Sequence, residues 1–407
     1  MSQNCVVIGA GCAATAFVTA LRQDGWEGDI QVIGSEPYYP YHRPPLSKEF
    51  LAGKNTLDEI LIRPAEIYKK ANIDFLLNCR AEKINTEKKT VLLNKGQVIS
   101  YDKLMLSVGS RARKIELPGD KLDGICYLRT INDVSQIKSY IRSGGNAVIV
   151  GGGYIGLEAA AVLRQLGMNV TILEMAERVL QRVTAIQVSK FYQRIHAEEG
   201  VSIQCGVGTV GFEGNGQVER VLCADGKSYK ADLVVIGVGI IPNVELAQSA
   251  GLKVENGIVV DDFARTSNSD IVAAGDCAVH YNSIYDRWVR LESVQNANDQ
   301  ARIAASTVCS KDKIYNNLPW FWSDQYDVKL QIAGLFHDYD EMLIRGNIEG
   351  GRSFAAFYLK EGIVIAVDSV NKPLEFMIGK RLITDKIKIN RSLLADEKSN
   401  IKELLNK

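Results

Sequence analysis

The sequence predicts an α/β fold of two successive doubly wound units, followed by an α+β region, and three observations carry that prediction. A short apolar strand pattern at residues 4–8 runs into Gly9-Ala10-Gly11-Cys12-Ala13-Ala14, a helical stretch over about 15–23, and a second apolar strand at 30–34 that ends in Ser35-Glu36. The same design returns as a strand at 146–150, the loop Gly151-Gly152-Gly153-Tyr154-Ile155-Gly156, a helix to about Leu166, and a strand at 169–173 ending in Glu174. From Trp320 onward the pattern changes to strands broken by glycine, at 329–333, 341–345 and 354–359, before a basic helical tail. Two βαβ units, each with its own glycine loop, predict two Rossmann-like dinucleotide sites in one chain.

The remaining elements fit around these units. Strand patterns at 90–93 and 103–107 precede Gly109, which closes a strand. Strands at 201–204, 220–223 and 233–238 follow the second unit, with Asp225-Gly226 as a hairpin signal. Residues 271–276 read as a buried strand ending in Asp276, and 295–308 as a helix. The expected division is one discontinuous domain from residues 1–110 and 243–319, a second over 111–242, and a third, α+β, over 320–407. The proline-rich stretch at 37–45 is too short for a linker and is expected to be a fixed loop.

Formal net charge is zero, so nothing global points to nucleic acid or to a membrane surface. The apolar run at 233–241 is far short of the roughly 20 residues a membrane span needs. No basic segment leads into a long apolar one near the start, so a cytoplasmic location is expected. The eight cysteines include no Cys-x-x-Cys and no metal-ligand spacing with histidine. Reduced, mostly packed thiols and no metal site are expected.

The chemistry sits in the glycine loops. Gly9 permits the tight turn, Gly11 lets backbone approach a pyrophosphate, and Ala14 in the third place allows close packing of helix on strand. The helix N-terminus then offers free N–H groups and partial positive charge to the phosphates. Glu36, 27 residues after Gly9, stands where a carboxylate accepts from ribose hydroxyls. The second loop has all three glycines, Gly151, Gly153 and Gly156, with Tyr154 and Ile155 opening its helix and Glu174 following Gly151 by 23 residues. A carboxylate there bonds a free 2′-hydroxyl and repels a 2′-phosphate, which favours NADH over NADPH; Arg178 and Arg182 nearby would soften that preference. The N-terminal loop is assigned to FAD, because Asp276, at a strand end expected to lead into a helix, can reach the ribityl chain. A plain helix N-cap is the alternative role for Asp276.

Further stretches carry a resemblance. They are Tyr41-His42-Arg43-Pro44-Pro45-Leu46-Ser47-Lys48, Tyr127-Leu128-Arg129-Thr130, the second glycine loop through Glu158, Ala274-Gly275-Asp276, Arg290-Leu291-Glu292-Ser293-Val294-Gln295-Asn296-Ala297, and Pro319-Trp320-Phe321-Trp322-Ser323-Asp324-Gln325-Tyr326-Asp327. With them the chain resembles the flavoprotein reductases of glutathione reductase-like fold, and within these the oxygenase-coupled NADH:ferredoxin reductases. The resemblance implies an enzyme that takes hydride from NADH through FAD and passes single electrons to a small acidic [2Fe–2S] ferredoxin, with rubredoxin as an alternative acceptor. It serves a cytochrome P450 or a ring-hydroxylating dioxygenase, as a monomer or homodimer. It further implies that Arg43 and Arg129 contact FAD phosphate or adenine, that backbone at Ala81 meets the adenine, and that Gly109, Val294 and Trp320 lie along the flavin. Lys48 is placed beside the reactive flavin edge with Glu158 as its partner. Where the family has Ala-Thr-Gly, this chain has Ser107-Val108-Gly109, so only the glycine is kept.

Physical argument supports the lysine independently. A cation near the flavin stabilises the charge that reduction adds, and a buried lysine needs a counter-charge. Outside this motif Lys48 would be read as a solvated surface lysine, and Trp320 as core packing. A disulfide reductase or peroxidase requires a redox thiol soon after the first acidic strand end, and residues 36–50 contain no cysteine. A redox-sensing protein like the apoptosis-inducing factors would need an insertion or targeting segment that is not evident. The last 28 residues hold eight Lys or Arg against four Asp or Glu, an excess suited to an acidic partner or to a solvated tail.

Overall fold

The computed structural model describes residues 3–311 and 313–405. The chain forms two compact units. One combines the segment up to His42 with Leu57–Arg111 and Ile241–Pro319; the other combines Arg43–Thr56, Ala112–Ile240 and the segment from Trp320 onward.

The first unit is built on five parallel strands in the order Ile271–Ala273, Lys103–Leu106, Asn4–Ile8, Asp29–Ile33, Asp74–Leu76. Cys5, Val6 and Val7 are fully buried, because a parallel sheet is covered on both faces and its strands read as continuous apolar runs. The helix Cys12–Gln23 packs on the helix Val294–Val308 through alanines, Ala13 and Ala14 on one side and Ala297, Ala301 and Ala304 on the other. Small side chains there let the two helices approach closely. Strand order reverses between Asn4–Ile8 and Lys103–Leu106, which puts the binding crevice of such a sheet at their carboxyl ends.

The second unit repeats the plan in the order Ser202–Cys205, Asn169–Glu174, Asn146–Val150, Leu233–Ile236, Ile125–Tyr127, again all parallel. Its reversal lies between Asn146–Val150 and Leu233–Ile236. The Asp225-Gly226 signal is a hairpin: Arg220–Cys223 and Ser228–Lys230 pair antiparallel, with Gly226 at φ +81°. The same unit carries a five-stranded antiparallel sheet in the order Trp320–Gln325, Val328–Gly334, Ile363–Val370, Ser353–Lys360, Glu341–Asn347, covered by the helix Pro373–Asp385.

One expectation is corrected. No helix follows Asp276: the chain turns there and enters the strand Ala278–Asn282. Gly275, at φ +86°, redirects the backbone, and a helix begins only at Val294, capped by Ser293. The helix N-cap role for Asp276 therefore falls away.

Arg345, 3% exposed, fixes the end of the chain. Its guanidinium reaches Glu375 and donates to the carbonyls of Leu393, Leu394, Asp396, Glu397 and Ser399. Arg345→Met strips donors from all of these at once. The expected cost is about 3–5 kcal/mol, read as a lower urea midpoint together with early proteolysis near Asp396.

Candidate active site

In the first unit, Gly9 has φ +105°, and a Cβ on it would stand 2.2 Å from the Ser107 carbonyl oxygen. Glycine is obligatory there. Gly9 N–H donates to Ile33 O, and the Ser107 hydroxyl bonds both Ile8 O and Gly9 O at 3.1 Å, so three strand ends hold the loop. Gly11 is the N-cap of the helix and supplies no side-chain cap, while a Cβ added to it would meet no heavy atom within 4 Å. Ala14 is fully buried under the loop. Glu36 accepts from the Tyr41 hydroxyl at 2.6 Å, which makes the proline-rich stretch the fixed loop the sequence implied; Tyr39 adds to this by stacking on Tyr68.

On the same unit Asp276 accepts from Ser110 at 2.8 Å, and Asn243 N–H donates to Gly109 O. Gly275 N–H donates to the Gln300 amide oxygen, whose NH2 faces His280 Nδ1 at 3.5 Å. Ala81 opens the strand Ala81–Asn85 beside an irregularity in its pairing, and Val294 is the first residue of its helix.

The second unit repeats the cradle. Gly151 has φ +109°, with a Cβ position 2.5 Å from Gly237 O; a Cβ on Gly156 would lie 2.2 Å from Gly151 O, so the third place here demands glycine where Ala14 is accepted above. Gly153 is an uncapped N-cap facing open space, as Gly11 is. Glu174 takes N–H bonds from Gly152 at 2.6 Å and Ala176 at 2.7 Å, one on each oxygen. It therefore shapes the loop as well as marking the strand end. Arg178 is committed to Thr184 O, Gln181 O and Ser189 Oγ, whereas Arg182 is exposed. Ile155 is 45% exposed, and the Tyr154 ring packs on Phe321 at 4.9 Å.

Lys48 follows a 3-10 turn, Pro44–Ser47, whose two prolines pre-set the backbone. Its side chain is 11% exposed, and Nζ lies 2.7 Å from Glu158 Oε2. Glu158, 2% exposed, also accepts from Ser47 Oγ at 2.5 Å and Ser323 Oγ at 2.6 Å. Burial pushes its carboxyl up, against the pull of Lys48 and the two hydroxyls. Arg43 donates to Arg129 O at 2.6 Å, just before the capping box of Thr130 and Asp133 that starts the helix Ile131–Ser139. Trp320 opens its strand, half-buried, with Lys380 Nζ 5.7 Å from the ring.

Residues 3–301 match the family described as pyridine nucleotide-disulphide oxidoreductase, and residues 320–405 match the reductase C-terminal domain. The chain belongs to the pyridine nucleotide-disulphide oxidoreductases. It is 42% identical over 410 residues to putidaredoxin reductase of Pseudomonas putida, covering 99% of this chain and 97% of that one. It is 42% identical over 384 residues to a ferredoxin–NAD(P)+ reductase of Sphingomonas sp, covering 94% and 92%. Among solved structures it superposes with a TM-score of 0.96 on the covalent putidaredoxin reductase–putidaredoxin complex, at 42% identity and covering 99% and 98% of the two chains. These relatives bear out the resemblance to ferredoxin reductases and the glutathione reductase-like fold.

A pyrophosphate fits each cradle. Bare helix N-termini face the space that a side chain at Gly11 or Gly153 would fill, and anions bind there. Despite the family's name, all eight cysteines are free thiols, and Cys5, Cys126 and Cys277 have pKa values raised by burial. Sequence reasoning missed Gly152, Ser47, Ser110 and Ser323, all polar supports of predicted site residues. Gly152, Ser47 and Ser323 stood inside motifs and Ser110 did not, and no spacing rule marks a hydroxyl as a donor to a distant carboxylate.

Two outcomes follow. Gly9→Ala should destabilise by about 2 kcal/mol or more through overpacking, whereas Gly11→Ala should leave the apoprotein within about 1 kcal/mol of wild type and weaken FAD; urea unfolding of apoprotein and flavin fluorescence titration separate the two. His280, 2% exposed, has a pKa lowered by burial to about 4. The unfolded chain then takes up a proton between pH 6.5 and 4 that the folded unit refuses, so this group's contribution is present above pH 6.5 and lost on acidification. His280→Gln should flatten the fall in stability between pH 7 and 5 by roughly 2 kcal/mol in paired denaturant titrations.

Proposed function

We propose that this chain is an FAD-dependent oxidoreductase that takes hydride from NADH and delivers single electrons to a small [2Fe–2S] ferredoxin serving an oxygenase. The observation that carries this reading is the repetition: two cradles of one geometry in one chain, each a positive-φ glycine under a neighbouring carbonyl and a bare helix N-terminus beyond it. When bound, FAD supplies the exchange between two-electron and one-electron chemistry.

The residues divide the work. The Gly9, Gly11 and Ala14 loop holds the FAD pyrophosphate, Glu36 its ribose, backbone at Ala81 and Gly109 its edges, Asp276 the ribityl chain and Val294 the ring. The resemblance assigns Arg43, Lys48, Arg129 and Trp320 to the same cofactor. Gly151, Gly153, Tyr154, Ile155 and Gly156 hold the NADH pyrophosphate. Glu174 spends one lone pair per oxygen on backbone and keeps the others for ribose hydroxyls. With Arg178 turned inward, NADH is preferred over NADPH. Lys48, fixed by Glu158, presents charge and no proton, and no side chain is assigned as general acid or base. The domain reading is an FAD-binding domain of 1–110 and 243–319, an NAD-binding domain of 111–242 and an α+β domain of 320–407.

The acceptor is acidic, matched to the basic end of the chain, where Arg381 and Arg391 are ion-paired and Lys380 lies over Trp320. Among the described residues no helix is long and apolar enough to cross a membrane, and the cytoplasm is the proposed location.

Purified protein should be yellow, bleach anaerobically with NADH, and then reduce two ferredoxins per NADH in stopped flow, at a rate that falls steeply with salt. Failure of NADH to bleach the flavin overturns the reading; reduction of rubredoxin but no ferredoxin overturns the acceptor. Glu174→Gln should weaken NADH roughly tenfold and NADPH much less, because the charge and a loop bond are both lost; equal losses for the two nucleotides would contradict the role given to Glu174.

A further inference from the structure

Four hydrogen bonds run in series through the interior of the second unit and end on Glu158. Ser323 Oγ lies 2.6 Å from Glu158 Oε1, Gln325 Nε2 3.2 Å from Ser323 Oγ, His196 Nε2 2.9 Å from Gln325 Oε1, and the Tyr326 hydroxyl 3.3 Å from His196 Nδ1. Ser323 and His196 are fully buried, and Gln325 is 2% exposed. The chain joins three elements: the helix Tyr154–Gln165, the strand Trp320–Gln325 and the helix Ile186–Glu198.

Its polarity is fixed from the acidic end. An ionised carboxylate only accepts, so Ser323 donates to it. The serine oxygen then accepts from the Gln325 NH2. The Gln325 carbonyl faces His196 and can only accept, so His196 carries its hydrogen on Nε2, and the bare Nδ1 accepts from Tyr326. Burial holds the His196 pKa down and keeps the ring neutral, as this arrangement requires. Every donor points toward Glu158. The glutamine amide interrupts any proton relay, because passing a proton through it needs the high-energy imidic form. What the chain supplies is a row of aligned dipoles with their positive ends toward the carboxylate.

We propose that Ser323, Gln325 and His196 are positioning residues that keep Glu158 ionised and thereby hold Lys48 charged and in place for the flavin. This rests on the reading above that Lys48 faces the flavin. Cutting the chain leaves Glu158 short of a donor, so it takes up a proton and Lys48 loses its neutralising partner.

The test is the flavin midpoint potential of the FAD-loaded protein, measured by equilibrium dye titration, with urea unfolding alongside. Lys48→Met should lower the potential, because a cation is lost. Ser323→Ala should lower it by a smaller amount, Gln325→Leu should lower it less again, and Ser323→Thr, which restores the hydroxyl, should return it to the wild-type value. In the Lys48→Met background the Ser323→Ala shift should vanish. A wild-type potential in both Ser323→Ala and Gln325→Leu, with stability alone reduced, overturns the positioning role while Lys48→Met still reports the lysine. An equal Ser323→Ala shift with and without Lys48 also overturns it. No shift from Lys48→Met itself overturns the placement of Lys48 and the positioning role with it. Should Gln325→Leu fail to fold, the smaller Ser323→Ala change decides.

Discussion

The close approach of a carbonyl oxygen to a glycine is the constraint on which each unit depends. In both, the central strand ends beneath the carbonyl that terminates its parallel neighbour, Ser107 over Gly9 and Gly237 over Gly151. That neighbour lies on the far side of the strand-order reversal, so the contact exists only because the sheet is doubly wound. It leaves the loop no room for a Cβ and turns the chain so that the next helix starts with its N–H groups facing outward. A recognition surface for anions thus arises from backbone alone, before any side chain is chosen.

Side chains then refine what the backbone provides, and they do so differently in the two units. Glu36 is oriented by Tyr41, a neighbour on a proline-stiffened loop. Glu174 is oriented by the loop itself, through Gly152 and Ala176. The second arrangement ties the shape of the glycine loop to the acid that ends the strand, so that side chain and the loop geometry cannot be altered independently there. The third place also differs: Ala14 stands fully buried in the first unit, while Gly156 sits against Gly151 O and nothing larger fits.

Most of the fold was legible because its signals are local. The runs 4–8 and 146–150 coincide with strands to the residue, since a strand covered on both faces must be apolar throughout and must stop where the glycine begins. The start of the first helix was read three residues late, because Cys12 and Ala13 carry no helix-start signal and Gly11 caps without a side chain. The helix expected after Asp276 failed for a related reason: an acid after a buried strand is equally suited to a turn, and Gly275 decided between them through a positive φ that composition does not reveal. Lys48 and Glu158 were legible as a pair through the motif around them. Ser47 and Ser323, which share the same carboxylate, lie 111 and 165 residues from it, and only folding shows that they converge.

That convergence explains why a charge can be kept in the interior. A lone buried carboxylate costs several kcal/mol and usually escapes by taking a proton; one ion pair offsets this only in part, because two charges have then been desolvated. Glu158 has three partners, two on one oxygen and one on the other, drawn from the turn Pro44–Ser47 and its following lysine and from the strand Trp320–Gln325. Lys48 is in turn held near Pro44 O, which leaves little freedom to a side chain that normally has much. The reductase C-terminal segment is thereby more than an appendage to the nucleotide-binding repeat: without the strand that begins at Trp320, the acid that anchors the lysine would be one donor short. A chain carrying the two cradles alone would lack the means to hold that cation fixed in a dry interior.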